Sequence, residues 1–211
     1  MKIMDLTHVI HDTMPVFPGT EPPIIKNALT IEEDANREKL ITMFSHTGTH
    51  MDAPAHMIFD GNRLDQMPVE HYIGDSLVID CRKVENNTID LSLLKTYHAA
   101  IKEVDFVLFC TGWSDKWGQE AYFDEFPALS EEAAEWLVGQ KLKGVGVDAI
   151  SIDLMSAQVF KIHHILLGSN FVIIENLLGL ERLLDKKFKL SVLPLKIKDA
   201  DGSPIRAVAM F

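Results

Sequence analysis

The chain has 211 residues, 47% of them hydrophobic, and its 31 acidic against 20 basic side chains give a formal charge of −11. This length and hydrophobic fraction suit one domain with a full core, and the acidic balance, with no dense Lys/Arg cluster, excludes a nucleic-acid backbone as partner. No apolar run reaches the ~20 residues of a membrane span and no signal peptide opens the chain, so a soluble cytoplasmic protein is expected, with Cys81 and Cys110 as buried reduced thiols.

Lys2 to Leu6 reads as a short strand. Thr13 to Thr20 follows as a rigid loop, because Pro15 and Pro18 fix φ and Gly19 permits a turn. Phe17 is held between those prolines and has two readings, a wall of a substrate pocket or a plug in the core. Ile24 to Ile31 and Lys39 to Ser45 read as strands joined by the polar stretch Glu32 to Glu38. Leu64 to Tyr72 is expected as a short helix and Ser76 to Cys81 as a strand. Asp90 suits the N-cap of a helix whose apolar stripe is Leu93, Leu94, Tyr97 and Ile101. Val104 to Cys110 has the composition of a strand buried on both faces. The run from Thr111-Gly112-Trp113 to Pro127 is too long for a tight turn, and long loops after strands often carry function. Ser130, Glu131 and Glu132 open a helix that runs through Trp136 and Leu137 to about Gly139. Strands are expected at Gly144 to Val147, Phe171 to Glu175, Phe188 to Leu195 and Ile205 to Met210. Many strands with about three helices predict a mixed α/β domain rather than regular βαβ alternation.

The stretch from His46 to His56 places His46, His50, Asp52 and His56 within eleven residues. In a straight strand His46 and His50 would be about 13 Å apart, too far for bonds of about 2 Å to one ion. A helix would join them, but Gly48, Thr49 and Pro54 oppose one. The consistent solution is an extended segment that bends at Gly48, folding His46 back towards His50 and Asp52, and turns again at Pro54 before His56. A metal site is the preferred reading; the bland one is a His-rich strand end whose imidazoles bond to backbone. A second cluster, His163-His164-Ile165-Leu166-Leu167 followed by Glu175 at the end of an apolar strand, could complete the site. A buried carboxylate there would need a positive neighbour.

The run His46-Thr47-Gly48-Thr49-His50-Met51-Asp52-Ala53-Pro54-Ala55-His56 resembles the H-x-G-T-H-x-D-x-P-x-H signature of the cyclase family, which includes bacterial kynurenine formamidases and isatin hydrolases. The resemblance extends to Asp5 to His8, Pro15 to Gly19, Thr111 to Trp113, and His163 to Leu167 with Glu175. It implies a β/β/α sandwich, as a homodimer or larger assembly, holding one or two divalent ions, Zn²⁺ first and Mn²⁺ second. By position, His46 and His50 would bind one metal, Asp52 and Glu175 would bridge, His163 would bind the second, and His56 would be the general acid/base. His164 stays ambiguous beside His163.

The expected chemistry is hydrolysis of a small amide by metal-activated water, with His56 moving the proton. N-formylkynurenine is the first substrate to consider. Phe17 stands where the formamidases carry Trp against the substrate; it keeps a stacking face but loses the indole N–H. Isatin-type cyclic amides fit the same chemistry, and a polyketide-type cyclase or dehydratase is a further use of the fold. A protein that only binds a metal or ligand is the rival from another class. It would leave the spare imidazole of His56 without a role.

Overall fold

A computed structural model describes residues 1–211. In chain order the strands and helices are β1 (Ile3–Asp5), β2 (Ile24–Leu29), α1 (Ile31–Asp34), β3 (Glu38–Thr42), β4 (His50–Asp52), β5 (Ile73–Asp80), β6 (Thr88–Ile89) and α2 (Leu91–Thr96). They continue with α3 (His98–Ile101), β7 (Phe106–Cys110), β8 (Ala128–Leu129), α4 (Glu131–Val138), β9 (Gly144–Val147), α5 (Lys161–Gly168), β10 (Val172–Glu175), β11 (Phe188–Ser191), β12 (Gly202–Pro204) and β13 (Val208–Met210).

Nine strands form one mixed sheet in the order β1-β13-β11-β5-β7-β9-β10-β4-β12. The centre, β5-β7-β9-β10, is parallel, and both flanks are antiparallel. All five residues of β7 are buried, as expected of a parallel strand covered on both faces. Its side chains alternate between two cores. Val107 and Phe109 pack with Leu137, Ile162 and Leu166 of α4 and α5. Phe106, Leu108 and Cys110 point the other way, to Leu6, Met51, Leu180 and Leu190. The mixed α/β expectation therefore holds, with few helices and one large sheet. No helix is long and apolar enough to cross a membrane.

Several expected elements differ. Leu64 to Tyr72 is a turn followed by a 3-10 segment at Val69–Tyr72, because Pro68 has no N–H to continue a helix. The helix capped by Asp90, whose carboxylate accepts from Leu93 N, is two short helices broken at Tyr97 (ψ 5°). The strand expected to Leu195 stops at Ser191, ahead of Pro194, and the last strand starts at Val208, since Ile205 makes only a single bridge to Pro194. The ribbon of β2 and β3 pairs with nothing else, and every residue of β3 is exposed.

Helix α5 and strand β12 were not legible in the sequence. The residue before α5, Phe160, offers no side-chain cap; the cap comes from Asp153, which accepts from Ile162 N and His163 N at 3.0 Å each. Strand β12 has only Gly202, Ser203 and Pro204, too short and too turn-like to announce itself.

Candidate metal centre

Strand β4 lies between β10 and β12, and this placement builds the site. His50 is directly opposite Glu175, and Asp52 is opposite Gly202, so a strand of three residues meets a partner about 120 positions later. Gly48 has φ +65°, the left-handed turn that glycine adopts without strain. That turn folds His46 back onto the strand. Pro54 opens a 3-10 turn, Pro54–His56, which sets His56 above the strand end.

The six residues predicted for this site, His46, His50, Asp52, His56, His163 and Glu175, all converge on one cavity. Asp52 Oδ1 lies 2.7 Å from His46 Nδ1 and 3.2 Å from His50 Nε2. Its other oxygen, Oδ2, lies 3.6 Å from His163 Nε2. Glu175 divides in the same manner, with Oε2 3.5 Å from His50 Nε2 and Oε1 3.3 Å from His163 Nε2. Each carboxylate thus turns one oxygen towards His50 and the other towards His163. Of the adjacent pair on α5, His163 is buried and lines the cavity while His164 is exposed.

The charge balance favours a cation. Asp52 Oδ2 is a buried carboxylate oxygen with no hydrogen-bond partner, and such an atom is costly to leave alone. Burial works against a charge on His46, yet Asp52 and Asp201 raise its pKa to about 10. Burial likewise opposes charge on His163, but Asp153, Asp52 and Glu175 together raise it well above the usual imidazole value. Burial pushes the Asp52 carboxyl up, yet His46, His163 and His50 hold it well below the usual carboxylate range. The buried carboxylates thus favour positive charge in the pocket, which a divalent ion would supply. The donor set of imidazole nitrogens and carboxylate oxygens suits a divalent metal ion. His50, Asp52 and Glu175 bring one atom each within 4.8 Å of one another, as do His46, Asp52 and His56.

Each of the three imidazoles near the carboxylates has its second nitrogen engaged. His50 Nδ1 donates to Gly48 O at 2.8 Å, His163 Nδ1 lies 2.6 Å from Asp153 Oδ2, and His46 Nε2 lies 3.0 Å from Asp201 Oδ2. Such contacts fix tautomer and ring orientation. Asn176 ties the two halves together: its Nδ2 donates to Gly48 O, its Oδ1 accepts from Tyr122 Oη, and its carbonyl accepts from Thr49 Oγ1. Asp153, Asp201 and Asn176 escaped the sequence reading because none stands in a ligand-like spacing with the histidines.

The cavity has a volume of about 280 Å³. Phe17 forms part of its wall, in edge contact with Phe160 at 6.3 Å between ring centroids, and also packs against the core behind it. The loop after β7 does not line the cavity. Asp148 accepts from Thr111 N, Thr111 Oγ1 and Gly112 N, while Trp117 stacks on His8 at 3.9 Å. That loop supports the site from behind.

A family model described as putative cyclase matches residues 4–154. The chain belongs to the cyclase family. It is 32% identical to a kynurenine formamidase of Bacillus cereus over 207 residues, covering 97% of this chain and 95% of the relative. Among solved structures, an isatin hydrolase bound to the product analogue thioisatinate superposes with a TM-score of 0.90 at 28% identity, covering 99% of this chain and 91% of that one. A structure described as a predicted metal-dependent hydrolase from Bacillus stearothermophilus gives a TM-score of 0.81 at 29% identity, covering 99% and 97%. This cyclase-family chain is a metal-dependent hydrolase. Its family match ends before His163, Glu175 and Asp201, so the rest of the site comes from segments outside that match.

Proposed function

We propose that this chain hydrolyses a small amide, first an aryl formamide such as N-formylkynurenine, with His46, His50, Asp52, His163 and Glu175 as metal ligands and His56 as general acid/base. The observation that carries the reading is the unpartnered buried oxygen of Asp52 at the base of a cavity walled by Phe17, Phe44 and Phe160. A cation beside that oxygen and an aryl group against those rings would satisfy both halves of the pocket. When bound, a divalent ion, Zn²⁺ first and Mn²⁺ second, supplies Lewis acidity and lowers the pKa of water.

The protein's own groups do the rest. Burial lowers the pKa of His56; Asp52 opposes that shift, while His46 and His163 reinforce it. That direction favours the neutral imidazole, the form able to take a proton from the attacking water. It returns that proton to the leaving nitrogen, so that amide and water become carboxylic acid and amine. The apolar rings of Phe17 and Phe160 orient the aryl group and exclude bulk water. The fold similarity to isatin hydrolase supports a second reading, a cyclic amide opened by the same steps.

The test replaces His56 with Ala and measures bound metal beside turnover of an aryl formamide and of isatin. Full metal content with turnover reduced by 10²-fold or more is the expected result. Loss of metal along with activity would make His56 a ligand. No turnover of either substrate by the metal-loaded wild type would remove both amide readings. The solitary β2–β3 ribbon, with Ile24, Leu40 and Ile41 about half exposed, supports assembly as a homodimer or larger.

A further inference from the structure

The metal reading leaves unexplained why His46, the most exposed of the proposed ligands, should hold one ring orientation. Its surroundings come from the chain's last strands. Strand β12 pairs with β4 so that Gly202 lies opposite Asp52, and Asp201 O accepts from Ala53 N at 2.8 Å. The dipeptide Asp201-Gly202 is thereby pinned beside the histidine loop. The His46 ring lies directly over Gly202: a Cβ there would come within 2.5 Å of Cε1, 2.6 Å of Nε2 and 2.9 Å of Nδ1. Only glycine leaves room for the imidazole. On the outer side of the ring, Asp201 Oδ2 meets Nε2 at 3.0 Å, and on the inner side Nδ1 faces Asp52 Oδ1 at 2.7 Å.

We propose that Asp201 is a positioning residue which, with Gly202 as the seat, commits His46 to bind the metal through Nδ1. A neutral imidazole has one N–H and one lone pair. With an ion bound His46 would be neutral, and the Asp201 carboxylate at Nε2 would hold the N–H there, leaving the Nδ1 lone pair for the ion on the side of the oxygen that Asp52 also turns to His50. The pattern is the carboxylate–histidine–metal arrangement, in which the outer carboxylate sets tautomer and raises ligand basicity. His56 Nδ1 lies 3.7 Å from the same Asp201 oxygen, too far for a hydrogen bond, so the role concerns His46. The inference rests on the metal reading but assigns a residue that takes no place among the ligands.

The experiment titrates Zn²⁺, and separately Co²⁺, into the chelated full-length chain and into Asp201→Ala, Asp201→Asn and Gly202→Ala. Affinity is read by calorimetry, and the ligand field by the visible spectrum of the Co²⁺ form. Asp201→Ala is expected to bind about 10–100-fold more weakly, with an altered Co²⁺ spectrum. Asp201→Asn keeps an acceptor oxygen at the same place and is expected to recover most of the affinity. Gly202→Ala is expected to weaken binding with Asp201 intact, because its Cβ displaces the ring. Wild-type affinity and spectrum in a folded Asp201→Ala, judged by far-UV circular dichroism, would overturn the proposal while leaving the metal reading in place. If Asp201→Ala does not fold, unchanged affinity in Gly202→Ala serves the same purpose. A wild-type chain that takes up neither ion would remove the metal reading and this inference together.

Discussion

Replacing Asp153 with alanine removes one carboxylate from three donors at once. Asp153 accepts from Ile162 N and His163 N at 3.0 Å, capping α5, and its Oδ2 lies 2.6 Å from His163 Nδ1. Loss of the cap costs about 1 kcal/mol, and loss of a buried hydrogen bond to a charged group costs about 1.5–3 kcal/mol. The metal-free variant should therefore unfold about 3 kcal/mol more easily, read as a lower urea midpoint with an unchanged slope. A second loss concerns the metal. With Nδ1 unheld the ring can rotate away from Asp52 and Glu175, and affinity should fall about 10–100-fold, or about 1.4–2.7 kcal/mol. Asp153→Asn keeps one acceptor oxygen but sets its NH2 against the N–H donors that the other oxygen served, so it should recover only part of the stability and of the affinity. An Asp153→Ala protein with wild-type urea midpoint and wild-type Zn²⁺ affinity would refute both the remote cap and the hold on His163.

Two further outcomes are expected. His8 is buried and stacked on Trp117, its Nε2 has no partner, and burial lowers its pKa to about 4. The unfolded chain binds that proton below about pH 6.5 and the folded chain does not, so stability falls as pH drops from about 6.5 to 4, by at most about 3 kcal/mol. His8→Phe keeps the stack and should flatten that part of the pH profile in urea titrations; a profile parallel to wild type would show that His8 contributes none of it. For the ribbon, light scattering should give the wild type a multiple of 23.7 kDa, and the double change Leu40→Lys with Ile41→Lys should return it to the single-chain mass. A wild type already at the single-chain mass would remove the assembly proposal.

The sequence reached the site through local spacing. Four ligand-type side chains interrupted by Gly48 and Pro54 implied a bend and a turn, and both are present, because backbone freedom at glycine and its loss at proline are properties of the residues themselves. Strand β7 was legible for the same kind of reason, since Val107, Phe109, Phe106 and Leu108 bury whichever face they point to. The helix proposed over Leu64 to Tyr72 missed the breaking effect of Pro68. Helix α5 was missed because its capping group is seven residues before Phe160 and reaches it only through the fold.

What the sequence alone determined, then, was the cluster from His46 to His56, the likeness of its motif to the cyclase signature, and the mixed α/β class. The tertiary structure decided which side chains surround that cluster. Glu175 faces His50 because β10 pairs with β4, Asp201 reaches His46 because β12 pairs with the other edge of β4, and Asp153 holds His163 across a loop. Strand pairing depends on backbone hydrogen bonds between segments more than a hundred residues apart, and no local pattern of residues encodes which edge meets which.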